Sequence, residues 1–285
     1  MGERIAVAAD TNSGITAEEA KAWGVTLIPM PFFIDGKVYY EGRTLTQADF
    51  YRHLEQNTEI STSQPAPGEV IETWEGLLKH YDRVIYIPMS SGLSSSAASA
   101  RLLAEDFDGK VLVVDNKRIS ATQRQAVLDA LYFVKQGLAA EKIRDILEQT
   151  GLDASIFITV DTLKYLQKGG RITPAAAAVG SVLNIKPVLQ IQGDKLDAYK
   201  KVRGWKSARR VMIEALESEL AGRFSGKDVW LGTAYSGDPK EGEAWRQTVQ
   251  EHFPDYDVYC GVLPLSISCH TGPGALGIGC MVRLY

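Results

Sequence analysis

The sequence contains little cysteine and little histidine, and this limits the chemistry that it can support. Its 285 residues include three cysteines and four histidines. The spacing of Cys260, Cys269 and Cys280 fits no metal-binding or redox motif, and an odd number without a signal peptide favours a reducing compartment. We therefore expect buried, unpaired thiols in the C-terminal strands and no metal site.

Long apolar runs and a strong excess of charge are also missing. The apolar run at residues 5–9 is too short for a signal peptide or a membrane span, which predicts a cytoplasmic protein. A net charge of −4 argues against a general nucleic-acid binder. The sequence has no G-x-x-x-x-G-K-[ST] loop, so any ATP chemistry would belong to a partner.

Short Val/Ile-rich runs alternate with helical patterns along the first half of the chain. Strands are predicted at residues 5–9, 25–34, 83–88, 110–115 and 154–160. Helices are predicted near 16–23, 46–56, 68–80, 93–105, 120–137 and 140–150. This alternation predicts a mostly parallel sheet that is covered by helices on both faces.

The second half has a different pattern. Residues 186–191 and 195–202 flank a Gly193-Asp194 turn and predict a hairpin. Helices near 206–222 and 239–252 and strands near 228–233, 256–263 and 275–284 complete a mixed sheet. The predicted fold is therefore α/β, with two α/β/α domains at residues 1–165 and 166–285, divided near the Lys168-Gly-Gly-Arg171 break.

Two segments rich in hydroxyl groups precede predicted helices. Residues 61–65 read Ser-Thr-Ser-Gln-Pro, and residues 90–96 read Ser-Ser-Gly-Leu-Ser-Ser-Ser at the end of a strand. Ser and Thr often cap a helix and Pro is common in its first turn, so capping explains both segments without a ligand. The free N–H groups of a helix N-terminus also bind carboxylates or phosphates, so a head-group site is the second interpretation.

A third segment places His270 among glycines. Residues 272–277 read Gly-Pro-Gly-Ala-Leu-Gly and match the G-x-G-x-x-G dinucleotide fingerprint. That fingerprint needs a preceding strand, a following helix and a second strand, whereas residues 277–285 predict one strand. We therefore reject a nucleotide site and expect backbone that lies close to a bound group faced by His270 and Thr271. A structural role is the alternative for a lone histidine.

The three segments meet if the first two lie at strand ends of one domain and the third faces them from the other. They supply neutral hydrogen-bond donors, with no pair of carboxylates and no set of metal ligands. Such a site suits a single anionic head group that is held without full neutralisation of its charge.

Four ordered motifs resemble the DegV family of fatty-acid-binding proteins, and the likeness covers essentially the whole chain. It implies one long-chain fatty acid in a buried tunnel between the two domains of a carrier that is not an enzyme and needs no cofactor. It also implies a separate fatty acid kinase that forms the acyl phosphate. The motifs are Thr62-Ser-Gln-Pro65 with Gly68, Ser90-Ser-Gly-Leu-Ser94, Gly169-Gly-Arg-Ile172 and His270-Thr-Gly-Pro-Gly274, preceded by Asp10-Thr-Asn-Ser13.

The resemblance also implies roles for single residues. Thr62, Ser91 and His270 match the positions that hold the carboxylate, directly or through water. Arg171 and Arg203 match basic positions near the mouth that the family offers to the kinase. Exchange of the lipid would involve transient contact with a membrane. The full carboxylate site expected from the motifs is Thr62, Ser63, Ser91, Ser94, His270 and Thr271.

A buried acyl chain would dominate the affinity of such a carrier. About 15 methylene groups at roughly 0.8 kcal/mol each contribute about 12 kcal/mol before the costs of binding. The head-group site would then fix orientation. The candidates for the tunnel lining, each of which ordinary core packing also explains, are Ile28, Met30, Phe32, Phe33, Ile34, Ala176, Val179, Val182, Leu183 and Ile185.

Two other functions stay open at this point. A serine hydrolase could use Ser91 and His270 with Asp10, Asp115 or Asp161, although the residues around Ser91 do not match G-x-S-x-G. A lipid sensor that works without a kinase is the third hypothesis.

Overall fold

Strands and helices alternate along the chain as the patterning predicts. The structure is a computed structural model that describes residues 2–56, 58–178, 185–193 and 195–285. The strands are β1 (Ile5–Asp10), β2 (Val25–Ile28), β3 (Pro31–Ile34), β4 (Lys37–Tyr40), β5 (Ile60–Thr62), β6 (Arg83–Ile87), β7 (Val111–Val113), β8 (Ala154–Thr159), β9 (Ile185–Ile191), β10 (Asp197–Arg203), β11 (Val229–Tyr235), β12 (Val258–Val262) and β13 (Leu276–Val282). The helices are α1 (Ala17–Trp23), α2 (Gln47–Glu55), α3 (Pro67–Leu78), α4 (Ser96–Ala104), α5 (Ala121–Lys135), α6 (Ala140–Gln149), α7 (Lys164–Gly169), α8 (Pro174–Ala177), α9 (Trp205–Ala221), α10 (Pro239–His252) and α11 (Leu265–Thr271).

The first sheet is parallel and has the strand order β2-β1-β6-β7. Helices α1, α5 and α6 cover one face, and α3 and α4 cover the other. Every residue of β1 is buried, because the strand has helices on both sides. The predicted three-layer α/β unit is confirmed.

The second sheet is mixed and has the order β10-β9-β8-β13-β11-β12. Its neighbouring strands are antiparallel except for the parallel pair β11 and β12. Helices α9 and α10 pack on one face around Trp245. The opposite face looks towards α7, α8 and the carboxyl ends of the first sheet. The predicted hairpin is β9 and β10, although Asp194 of its turn lies outside the described residues.

Two strand assignments from the sequence were wrong. The strand predicted at 154–160 is β8, and it pairs with β9 and β13 of the second sheet. A strand that is buried on both faces has the same sequence pattern in either sheet, so the pattern could not identify its neighbours. The strand predicted at 25–34 is two strands, because Pro29 and Pro31 interrupt it and β3 turns into another sheet. The domain boundary at residue 165 stays a prediction, and we propose that the second domain begins before β8.

A third, antiparallel sheet of β4-β3-β5 supports α11, a helix where the sequence predicted a glycine-rich turn. Phe32 and Phe50 pack with Leu265 and Cys269 of α11. Tyr51 donates a hydrogen bond from its hydroxyl to Ser268 Oγ at 3.2 Å. These contacts fix the helix that carries His270.

None of the described helices is long and apolar enough to cross a bilayer.

Candidate functional site

A cavity of about 550 Å³ lies between the carboxyl ends of the first sheet and the open face of the second. Its volume falls within the usual range for a small-molecule site, about 300–1,000 Å³. Side chains from both halves of the chain line it, so the site exists only where the two sheets face each other. The polar lining residues that matter below are Asn12, Thr62, Ser63, Gln64, Ser94, Arg171, Ser266, His270 and Thr271.

At the polar end of the cavity, a side chain of β5 contacts a side chain of α11. Thr62 Oγ1 and His270 Nε2 are 2.9 Å apart and share a hydrogen bond. Ser63 follows Thr62 into the cavity wall, and Thr271 is buried beside His270. Ser94 reaches the same cavity from the loop before α4, where its Oγ lies 2.7 Å from Ser96 Oγ. Neutral hydroxyls and one imidazole therefore meet at this end, as the three motifs predict.

Gln64 was quoted in the first motif without a role, and it fixes the geometry of this end. Its Oε1 accepts hydrogen bonds from Ser95 Oγ and Ser99 Oγ, each at 2.9 Å. The loop after β5 is thereby tied to α4 and to the loop that carries Ser94. The available sequence signal was an amide that directly follows the run Ser61-Thr62-Ser63.

The backbone of Gly169 lies directly against the imidazole of His270. A Cβ added to Gly169 would overlap His270 Nδ1 and lie 2.8 Å from Cε1. The carbonyl of Gly169 also accepts a hydrogen bond from Arg171 Nη1, and Arg171 Nε donates to Leu93 O at 3.3 Å. The Gly169-Gly-Arg motif thus brings the backbone against one side of His270 and a guanidinium into the cavity wall.

The imidazole of His270 is neutral at physiological pH. Burial, together with the smaller effect of the positive charge of Arg171, lowers its pKa from 6.5 to about 4. One ring nitrogen of a neutral imidazole can donate and the other can accept. The site can therefore orient a carboxylate or a water molecule without forming an ion pair through this residue.

Replacing Arg171 with Gln should raise the pKa of His270 above about 4, because a nearby positive charge that opposes protonation is removed. The pKa can be followed by NMR titration of the imidazole Cε1 proton. The variant Arg203→Gln serves as the control, since Arg203 is exposed at the end of β10. An unchanged His270 pKa in Arg171→Gln would contradict this account of the site.

The structure does not bring Ser91 or Arg203 to the cavity wall. Ser91 Oγ accepts a hydrogen bond from Lys117 Nζ, which pairs with Asp115 Oδ2 at 2.9 Å. Ser91 N–H also donates to Asp115 Oδ1 at 3.2 Å. The hydroxyl of Ser91 is therefore engaged by Lys117 while His270 is engaged by Thr62. The contact of Ser91 with the carboxylate and that of Arg203 with the kinase stay predictions. Ser91 and His270 do not form a Ser–His dyad in this structure.

The floor of the cavity carries little side-chain volume. Side chains alternate along a strand, and Ile278 and Cys280 of β13 point into the core under α9 and α10. The cavity side of β13 and β11 instead presents four small residues, which we call the glycine trough: Gly277, Gly279, Gly232 and Ala234. Missing side chains leave a hollow along these two strands.

The glycine trough has apolar walls and an apolar end. Ile156 pairs with Gly279 on one side. From Gly277 to Met281 the cavity side of β13 extends over four residue steps, or about 13 Å at 3.3–3.4 Å per residue. Other apolar lining side chains are Met89, Leu93, Ile119, Ile158, Leu166, Ile191, Leu196, Leu263 and Ile267.

Five of the seven described lining candidates from the sequence belong to the protein core. Met30 lines the cavity, whereas Ile28, Phe32, Ile34, Ala176 and Ile185 pack in hydrophobic clusters. Phe33 is not among the lining residues, and Val179, Val182 and Leu183 lie outside the described residues. Sequence patterning marks buried residues but cannot tell a packed position from one beside a void. The Gly277-Ile-Gly279 alternation in a predicted strand was the signal that could have located the trough.

A buried polar contact between the two halves was also missed. Asn12 lines the cavity, and its Oδ1 accepts a hydrogen bond from Ser266 Oγ while its Nδ2 donates to Met89 Sδ at 2.9 Å. Asp10 behind it is fully buried and accepts from the N–H groups of Asn12 and Met89 and from Gln123 Nε2. Burial raises the pKa of Asp10 to about 6.

Within the described ranges, no cluster of His, Cys, Asp or Glu could hold a metal ion.

Two α/β units that enclose an apolar cavity with a neutral polar end define the class of protein. The family model of DegV, described as an uncharacterised protein family, matches residues 4–283. A DegV domain-containing protein of Deinococcus radiodurans is 33% identical over 276 residues, covering 96% of this chain and 97% of that protein. One of Listeria innocua is 32% identical over 281 residues and covers 98% of each chain. The chain belongs to the DegV family.

Solved structures of the same fold support this assignment. A DegV family protein of Thermus thermophilus, described as fatty acid binding, superposes with a TM-score of 0.90 at 29% identity, covering 98% of this chain and all of that one. DegV of Bacillus subtilis, described as a fatty acid binding protein, has a TM-score of 0.87 at 28% identity and covers 99% of this chain and all of that one. Both likenesses extend over the two sheets and the cavity between them.

Proposed function

We propose that this protein binds one long-chain fatty acid in the cavity, with the acyl chain in the glycine trough and the carboxylate among Thr62, Ser94 and His270. The observation that carries the proposal is the cavity itself, which is apolar along the trough and has neutral donors at one end. The fatty acid binding described for the Thermus thermophilus and Bacillus subtilis proteins supports it.

The arrangement suits a ligand whose affinity comes from its tail. Burying methylene groups contributes roughly 0.8 kcal/mol each, whereas a net hydrogen bond contributes about 0.5–1.5 kcal/mol. The polar end then sets the direction in which the acid enters. Because His270 is neutral there, no strong ion pair forms through it and the carboxylate stays nucleophilic.

We further propose that a separate kinase acts on the presented carboxylate. In that step a carboxylate oxygen attacks the γ-phosphorus of ATP, a new O–P bond forms, and the bond to the ADP oxygen breaks. The kinase supplies ATP and its metal ion, and this chain supplies the positioned acid. The support is the chemistry of the site, which has hydroxyl groups and a neutral imidazole at its polar end and the guanidinium of Arg171 in the adjoining wall.

The first test is native mass spectrometry of the protein purified from cells. We expect an added mass equal to one long-chain fatty acid, which organic extraction and chromatography then identify. A clean mass of the protein alone, with no acid in the extract, would contradict the proposal. A fluorophosphonate probe that labels Ser91 would favour a hydrolase, and a cognate kinase recovered in a pull-down would separate a kinase-dependent carrier from a sensor.

Replacing Ser94 with Ala should weaken fatty acid binding about fivefold, because one hydrogen bond of about 1 kcal/mol at the polar end is lost. Ser91→Ala in the same loop is the comparison, and it should weaken binding less than Ser94→Ala because Lys117 already donates to the Ser91 hydroxyl. Competition with a fluorescent fatty acid measures both. The reverse order of effects would assign the carboxylate to Ser91 instead.

A further inference from the structure

Methionine is rare in this chain and is concentrated in the cavity wall. The sequence has five methionines, and four of them belong to the part that the structure describes. Three of these four, Met30, Met89 and Met281, line the cavity, and each is 8% exposed or less. The fourth, Met212, packs in the core under α9. Methionine therefore marks this site and not the protein core in general.

Met30 and Met89 lie across the cavity from the glycine trough. Met30 comes two residues after β2 and Met89 two residues after β6, at the carboxyl ends of the first sheet, and both pack in one apolar cluster. Met281 lies on β13, two residues beyond Gly279 and on the same side of the strand. An acyl chain in the trough would then have strand backbone on one side and methionine side chains opposite it and at its end.

The two sides of this space differ in how far they can adapt. The glycines of β13 are held in register with β8 on one side and with β11 on the other, so the floor of the trough is fixed backbone. A methionine side chain is unbranched, has three rotatable bonds and fits irregular spaces. Met89 Sδ accepts a hydrogen bond from Asn12 Nδ2 at 2.9 Å. Within the described residues no such bond restrains the sulfurs of Met30 and Met281, so these two side chains are the adjustable part of the wall.

We propose that Met30 and Met281 allow the cavity to accept both straight saturated acyl chains and bent, cis-unsaturated ones. This inference rests on the proposed function. A cis double bond bends an acyl chain away from a straight floor, so the bent chain must displace the wall that faces it. An unbranched methionine side chain can turn aside, whereas leucine has a similar volume but a branched shape with few rotamers.

The experiment compares three acids that have the same number of carbon atoms: stearate is straight, elaidate has a trans double bond and is nearly straight, and oleate has a cis double bond and is bent. Competition with a fluorescent fatty acid on delipidated protein gives the dissociation constants. The wild-type protein should bind oleate and stearate within about threefold of each other. The double variant Met30→Leu/Met281→Leu should keep its affinity for stearate and elaidate and bind oleate about tenfold more weakly, which lies within the range for swaps that conserve volume.

Met212→Leu is the matched control, because it makes the same change in a buried methionine that does not line the cavity. It should leave all three dissociation constants unchanged. Thermal unfolding of each variant shows whether the double variant is folded at the assay temperature. If it is not, the single variants Met30→Leu and Met281→Leu decide, and each should weaken oleate binding by about threefold relative to stearate.

The outcomes separate this inference from the proposed function. If the wild-type protein takes up stearate but already rejects oleate, or if the folded leucine variants keep the wild-type ratio of the two, the inference is wrong and the proposed function stands. A loss of elaidate that equals the loss of oleate would also overturn it, because the effect would then follow the double bond and not the bend. If the wild-type protein takes up none of the three acids, the proposed function fails and the inference fails with it.

Discussion

Gly169→Ala should lower fatty acid affinity at least tenfold, which corresponds to about 1.4 kcal/mol. The added methyl group cannot share space with His270 Nδ1, so the imidazole must move. The hydrogen bond between Thr62 Oγ1 and His270 Nε2 is then lost, and the carboxylate loses the two groups that this bond holds together. The backbone of Gly169 lies in α7 without a positive φ, so the helix itself accepts Ala.

Two comparisons isolate the displaced imidazole as the cause. Gly76→Ala on α3 is the control for adding a methyl group to a helix, because its Cβ would meet no atom within 4 Å. In a double-mutant cycle, Gly169→Ala should cost little further affinity in a His270→Ala background, where the ring is already gone. Competition binding with a fluorescent fatty acid measures all four proteins. Additive losses would show that Gly169 acts through something other than His270.

The stability that His270 contributes should fall by as much as about 3 kcal/mol as the pH drops from 6.5 to 4, because its pKa is lowered over that interval. Burial, with Arg171, places the folded-state pKa at about 4 against an ordinary value of 6.5. Between these values the unfolded chain binds a proton that the folded chain refuses. The contribution is therefore fully present above pH 6.5 and is lost as the pH falls towards 4.

Urea unfolding of the wild-type protein and of His270→Gln across this range measures the effect. The difference between their free energies of unfolding should shrink as the pH falls, since Gln does not titrate. Asp10, whose pKa burial raises to about 6, changes stability in the opposite direction, losing it as the pH rises through 6. It is present in both proteins, so its effect cancels in the difference. Parallel pH profiles would contradict a buried, neutral His270.

The parts of the fold that depend on local patterning could be predicted. Val/Ile runs and amphipathic stretches located α5, α9, α10 and β6 within a few residues. The three polar motifs indicated that Thr62, Ser94 and His270 would face one cavity, and all three line it, although Thr62 ends a strand of the third, antiparallel sheet and His270 lies in α11. The four ordered motifs also indicated the family, which the family model and the relatives confirm.

Errors arose where the outcome depends on contacts between distant segments. β8 joined the second sheet because its partners β9 and β13 lie later in the chain. Residues 265–271 form α11 only with the third sheet packed against them. The hydrogen bond from Lys117 to Ser91 is another such contact, and the predicted role of Ser91 at the carboxylate stays a prediction.

Residue type and periodicity are enough to predict the α/β class, the uncharged hydroxyl groups of the polar site and the small residues of β11 and β13. The packing of distant segments places Gly169 and Arg171 beside His270 and sets the two sheets apart by the width of the cavity. A void and its walls are made by side chains from separate strands and helices. Their distances are set when the two sheets pack, and no local pattern encodes them.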